Sequence, residues 1–430
     1  MVLSSLRPLR SRNFALIWSA ALVSNIGTWM QTVALGYLVT AGTRNPLWTG
    51  AVAAAAFVPN GLLAPVGGAL ADRFDRRRWL IVTTVAEAVL ALGMAGLAAD
   101  GAGPGTLTAV AFAGGVASAI GFPTYQAMLP DLVPRQDVLG AVSLSSAQFN
   151  LGRVIGPALA GVVLVVGSAA WVFAANAASF AAVVVALVLV RLRRRETVRS
   201  GPGIVRRMAE GARLAAAIPG CRSAIVLISV VALVGSPFIG LIPAVAVVGL
   251  HGAQGGSHGA GATSVLVTGQ GIGAVAGALA IAPVAAALGR RRMVTAALVA
   301  FPGALVLYGI APGLWGTAAA IVVVGGCYIG VLSGLNTVIQ LHAPEAARGR
   351  ILGLYMMALG TIYPIGLLVQ GAVAGAVGIR LVTVASGVAL LVVVAAVGLG
   401  RPRILQALDD PAGPAGVGDA AVGGPAGAVA

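Results

Sequence analysis

The sequence predicts an all-α integral membrane protein of twelve transmembrane helices in two six-helix bundles, and three observations carry that prediction. Hydrophobic residues fill 59% of the 430 positions and charged ones 9%, against about 25% charged in a soluble globular chain. Apolar runs of about 20 residues, long enough to cross the hydrocarbon core, recur along the chain. The arginines gather in alternate connections between those runs, as positive charge does on the cytoplasmic side of a membrane.

The runs fall near 14–39, 47–71, 79–98, 105–128, 139–165, 168–190, 222–248, 262–288, 293–311, 315–341, 351–376 and 379–399. The first follows Arg7, Arg10 and Arg12, as the apolar core of a signal peptide would. It is too long for one, holds Asn25 and Gln31, and is not followed by a small-residue cleavage site, so it reads as a retained helix. Between the second and third runs lie Arg73 and Arg76 to Arg78. Further basic connections hold Arg135, the group from Arg191 to Arg213, Arg290 to Arg292, and Arg348 with Arg350, and Arg401 and Arg403 follow the last run. The opposite connections hold Arg44 and Arg380. An even number of spans explains this two-sided pattern and places both termini in the cytoplasm, with the protein multi-pass in the cell (inner) membrane.

The basic connection near 191–221 divides the spans six and six. It separates an N-terminal bundle (1–190) from a C-terminal bundle (222–400), and "RMAEGARLAAA" within it has the spacing of a helix lying on the inner membrane surface. The tail over 401–430, rich in Gly, Ala and Pro, reads as disordered. The bundles repeat one another. Arg76–Arg77–Arg78 recurs at the equivalent place as Arg290–Arg291–Arg292, Leu139–Gly140 as Leu352–Gly353, and Ala160–Gly161 as Ala374–Gly375. Parallel repeats of this kind imply a binding site at the midplane between the halves and access that alternates as they rock.

The net charge of +15 does not point to nucleic acid, because the arginines sit in short clusters and form no basic stripe with interleaved aromatics. All 27 basic residues are Arg, so a lysine-bearing phosphate loop and a Schiff-base lysine are both excluded. Cys221 and Cys327 lie in or beside apolar runs and read as small buried hydrophobes. His251 and His258 share a Gly-rich connection with too few ligands for a metal.

Three motifs carry a family resemblance. Gly68, Asp72, Arg73, Arg76 and Arg77 resemble the Gly-x-x-x-Asp-Arg-x-x-Arg-Arg loop between helices two and three of the major facilitator superfamily. Gly152, Gly156, Pro157, Ala160 and Gly161 resemble its helix-five antiporter motif, with Ala160 in place of a Gly. "PEAARGR" from Pro344 to Arg350, and "NLGRVIGPALAG" from Asn150 to Gly161, resemble the enterobactin-exporter and macrolide-efflux branch. The second-half copy of the loop has Ala286 where Asp72 stands, so its carboxylate occurs once. The resemblance implies a secondary transporter with a small-molecule substrate, protons and the bilayer as partners, no cofactor, no nucleic acid and no catalytic residues, working as a monomer.

Under that resemblance Asp72, oriented by Arg73, Arg76 and Arg77, is placed to latch the first bundle to the start of helix eleven near Arg348 and Arg350 when the cytoplasmic side closes. Plain topology accounts for Arg77 and Arg78, but it needs no aspartate, so the gating role falls on Gly68, Asp72 and Arg73. The small residues of helix five, with the bend Pro157 permits, read either as a pliable interface between halves or as ordinary close packing. Two ionisable groups lie inside spans. Glu87, roughly 13 Å beyond Arg78 at about 1.5 Å per residue, has the chemistry of a proton carrier but sits on a helix that is peripheral in this fold. Arg153 either attracts an anionic or polar ligand or pairs structurally. The helices that line the cavity of this fold carry Asn25, Trp29, Gln31, Asn60, Tyr125, Gln126, Gln148, Asn150, Gln270, Tyr328, Asn336, Gln340, Tyr355 and Tyr363. Few charges and several aromatics fit an apolar or amphipathic ligand. The leading reading is proton-coupled efflux of a drug, siderophore or secondary metabolite. An importer of a small metabolite is the alternative, and a non-transporting receptor or lipid-handling protein is the reading from another class.

Overall fold

A computed structural model describes residues 6–190, 204–250 and 257–408, and twelve long helices carry the twelve spans. The first half comprises α1 (Arg12–Thr43), α2 (Pro46–Arg73), α3 (Arg76–Ala99), α4 (Pro104–Met128), α5 (Val138–Val166) and α6 (Ala169–Leu189). The second comprises α7 (Pro219–Gly249), α8 (Ser257–Leu288), α9 (Arg290–Ile310), α10 (Gly313–His342), α11 (Glu345–Val377) and α12 (Ile379–Gly400). Among the described residues, eleven helices are long and apolar enough to cross a membrane by those measures alone. The twelfth, α1, is 32 residues long and is diluted by polar residues that other helices satisfy. Gln31, for one, accepts a hydrogen bond from Asn176 Nδ2 of α6 at 2.8 Å.

Local chemistry sets the turns. Arg44 adopts a left-handed conformation (φ 48°) after α1. Asn45 then caps α2, its Oδ1 accepting from Leu47 N at 2.9 Å, with Pro46 in the first turn where its missing N–H costs nothing. On the arginine-rich turn Asp75 caps α3 by accepting from Arg78 N at 2.8 Å. The turns before α9 and α12 use Gly289 (φ 78°) and Gly378 (φ 91°), backbone angles that a side chain would strain.

Helix α7 is not a plain α-helix. It widens into π turns at Val231–Gly235 and Val245–Gly249. Pro237 has no N–H to give the Leu233 carbonyl four residues earlier. The widened turn routes Ser236 N to Val231 O at 2.8 Å, and Gln370 of α11 donates its side-chain amide to Leu233 O and Val234 O at 3.3 and 2.8 Å. A bulge in oil thus survives because a neighbouring helix supplies the missing donor.

Packing repeats with a shift of six helices. In the first half α2 packs on α4, and α3 on α4 and α6. In the second, α8 packs on α10, and α9 on α10 and α12. Across the halves α2 meets α11 and α5 meets α8, pairs that the same shift interchanges. The contacts between halves concentrate away from the arginine-rich connections. Gly61 and Gly360 bring the backbones of α2 and α11 together so closely that a Cβ on either would overlap the other chain. Gly371 packs on Pro46 and Leu47 nearer the opposite end. On the basic side of these contacts Gly68, Gly349 and Gly353 face open space. The halves therefore close at the end opposite the arginines and part at the basic end.

Two expectations about the segments outside the bundles need restating. The linker helix, Ile204–Ala217, packs against α11, while 191–203 lie outside the described residues. The disordered tail expected from 401 does not begin there. Pro402–Gln406 form a short helix, and Ile404, Leu405 and the fully buried Leu408 join the apolar core beside α7 and α12. Three large apolar side chains within five residues outweigh the Gly and Pro content that follows. Residues 409–430 lie outside the described residues.

Candidate substrate site and gate

A polar and aromatic cluster sits where the halves meet. Arg153 of α5 donates from Nη2 to Gln270 Oε1 of α8 at 2.9 Å. Its guanidinium carbon lies 5.7 Å from the centroid of the Trp29 ring of α1, a cation–π contact. Trp29 in turn meets Phe149 edge-on at 5.9 Å. Tyr328 of α10 and Tyr363 of α11 lie in the same neighbourhood. Tyr328 donates to Ser236 Oγ on the bulge of α7 at 3.0 Å, meets the Phe238 ring edge-on and packs at a tilt on the Phe301 ring. Tyr363 packs edge-on against Phe57 of α2, across the halves, at 5.4 Å. The sequence reading placed Trp29, Gln270, Tyr328 and Tyr363 among cavity candidates, and Arg153 with the helix-five motif; the fold joins all five.

Other candidates scatter. Gln148 is buried and accepts from Tyr125 Oη at 3.3 Å within the first half. Gln126 is exposed, Asn150 is exposed and bonded to Ser146 O of its own helix at 2.9 Å, and Asn336 accepts from Gln340 one turn on. Asn25 packs against Gly152. In the helix-five motif, Gly152 and Gly156 let α1 approach within the same half, whereas Gly161 abuts Ser264 of α8 across the interface. Beside Gly161 an apolar groove of about 800 Å³ between α5, α8 and α10, lined by residues such as Val162, Ile272 and Trp315, suits acyl chains better than a polar ligand.

The gate residues are apart. Arg76 binds Asp131 at 2.9 Å and the Ala127 carbonyl at the end of α4 at 2.9 Å. Arg77 reaches the Leu187 and Val188 carbonyls at the end of α6. Both cations lie at helix C-termini, where unsatisfied carbonyls and the dipole favour them. Arg73 is exposed and lies over the Phe74 ring. The side chain of Asp72 lies outside the described residues. Arg350 pairs with Glu210 of the linker helix at 3.1 Å, and Arg348 Nε is buried without a hydrogen bond. Glu87, on the flank of the first half, is hydrogen-bonded by Ser118 of α4 and is not part of the Arg153 cluster.

The profile of a family described as transmembrane secretion effector matches residues 3–412. The chain belongs to that family. It is a membrane transporter of the major facilitator superfamily. It is 26% identical to the multidrug efflux pump Tap of Mycolicibacterium fortuitum over 92% of this chain and 98% of that one. It is 28% identical to the enterobactin exporter EntS of Escherichia coli over 75% and 74%. Identity to the staphyloferrin A transporter of Staphylococcus aureus is 32%, over 37% of this chain and 41% of that protein. Its fold matches a bacterial homologue of the human lysosomal transporter Spinster in an inward-facing, unoccupied conformation, with a TM-score of 0.70 at 16% identity over 93% and 97% of the two chains.

Two features of the transporter are not read from the sequence. One is the capping carboxylate, Asp75, overlooked beside Asp72 although an Asp just before a helix start is a recognisable signal. The other is the linker pair Glu210–Arg350, which joins residues 140 apart and leaves no local trace.

Proposed function

We propose that this transporter exports a small amphipathic molecule across the cell membrane in exchange for protons, its basic end facing the cytoplasm. The observation that carries the reading is the asymmetric closure: the halves touch at one end and part at the arginine-bearing end, with Arg153 and Gln270 joined on the seam between them. A cytoplasmic ligand entering there reaches aromatic and polar side chains of both halves. Export then requires the opposite contacts, at Gly61 and Gly360, to part while the basic end shuts. Asp72 is the latch for that second state, meeting the start of α11 once Arg350 leaves Glu210. The names of the relatives, a multidrug pump and siderophore transporters, favour efflux of bulky amphipathic compounds.

Proton coupling rests on Glu87, the one carboxylate of the sequence deep inside a span. Transport of a fluorescent amphipathic dye in vesicles tests the function: flux should rise with an imposed proton gradient and collapse when it is dissipated. Glu87→Gln should leave residual gradient-independent flux. Full gradient-driven flux in that variant would remove Glu87 as the carrier, and an absence of driven flux for a broad dye panel in the wild type would sink the export reading.

A further inference from the structure

The chemistry of the Arg153 cluster narrows the ligand, a step that rests on the transport reading above. Arginine carries five donors and no acceptor. Here one is given to Gln270 Oε1, while Nε is shielded from solvent and has no hydrogen-bond partner. Because a pure donor must face the oxygen of the Gln270 amide, that side chain turns its NH2 group the other way. Gln270 is 2% exposed, and its Nε2 is likewise shielded and unpartnered. Among the described residues no carboxylate pairs with Arg153. Two idle donors and one uncompensated cation thus meet at the seam of the two halves, in surroundings where unpaired donors and charges are costly. The neighbouring Tyr328 hydroxyl, whose proton goes to Ser236, does not accept from either donor, since both are without a partner. Arg153 as a whole is half-buried, and of its guanidinium nitrogens Nε alone is shielded from solvent without a partner.

We propose that this site binds organic acids: the ligand's carboxylate engages Arg153 and the Gln270 amide, and its apolar body lies on the Trp29, Phe149 and Tyr363 rings. A carboxylate supplies both the negative charge and the two acceptor oxygens that the donors lack, and a guanidinium matches it in a planar, two-bond fork. The assignment also couples ligand to motion. Arg153 belongs to the first half and Gln270 to the second, so an acid bound between them draws on both, and its departure leaves the seam weaker.

The matched probes are rhodamine B, which has a free carboxylate, and its ethyl ester, which does not. Binding to the purified full-length protein is read by fluorescence polarisation, and transport of both in proteoliposomes. The acid should bind about tenfold more tightly than the ester. Arg153→Gln should erase that preference, and Arg153→Lys should keep part of it. Gln270→Glu, which offers Arg153 an internal carboxylate, should also abolish the preference, and it serves if Arg153→Gln fails to fold. Equal affinities for acid and ester in the wild type, no binding of the acid, or a preference that survives both substitutions overturns the proposal. Acid-selective binding without flux would uphold the site and sink the export reading; flux without acid preference would do the reverse.

Discussion

Asp75 and its neighbours show how much of this protein is decided by single side chains at helix ends. The carboxylate of Asp75 holds the first turn of α3 by accepting from Arg78 N. Arg76 and Arg77, one and two residues on, tie that turn to the last carbonyls of α4 and α6. A motif that the sequence alone reads as a topology signal is thus also a clamp on three helix termini. Asp75→Ala should cost about 1 kcal/mol, the usual value of a lost N-cap, and lower the unfolding temperature of the purified protein while leaving dye flux per folded molecule unchanged. Arg153, Gln270 and Trp29 are each visible in the sequence as polar or aromatic residues inside apolar runs. Their meeting is not, because Arg153 and Gln270 stand 117 residues apart and nothing local encodes which faces of α5 and α8 turn toward each other.

Among the helices, α7 departs furthest from what hydropathy conveys. Its composition announces a span, and Pro237 announces an irregularity. The form of the irregularity, a π turn whose freed carbonyls are met by Gln370 of α11, depends on a partner helix from far along the chain. Gln370→Leu leaves two carbonyls without that donor at membrane depth and should destabilise the protein by about 1–3 kcal/mol, seen as a lower unfolding temperature in detergent. A substitution at Gln340, whose amide bonds Asn336 on its own helix, should have a much smaller effect. The C-terminal segment teaches the converse lesson. Its Gly and Pro content implied disorder, yet Ile404, Leu405 and Leu408 find apolar cover, and burial rather than composition decides the outcome.

At the scale of the molecule, the described residues form two similar bundles whose contacts exchange under a shift of six helices, and one end is closed. On the proposed latch, Asp72→Asn should reduce export severalfold while insertion and expression stay normal, because the latch calls on that carboxylate in the state that closes the basic end. Unchanged flux in vesicles would remove the latch. The number of spans, their order, the repeat and the charged face all follow from the amino-acid sequence, since each rests on how about 20 consecutive residues partition between oil and water. Which donors meet at the seam, which arginines cap which helices and which end stands open were settled by the folded arrangement. Those outcomes depend on contacts between distant helices, and the two gate states share one sequence and differ by the small free energy of a few interchangeable contacts.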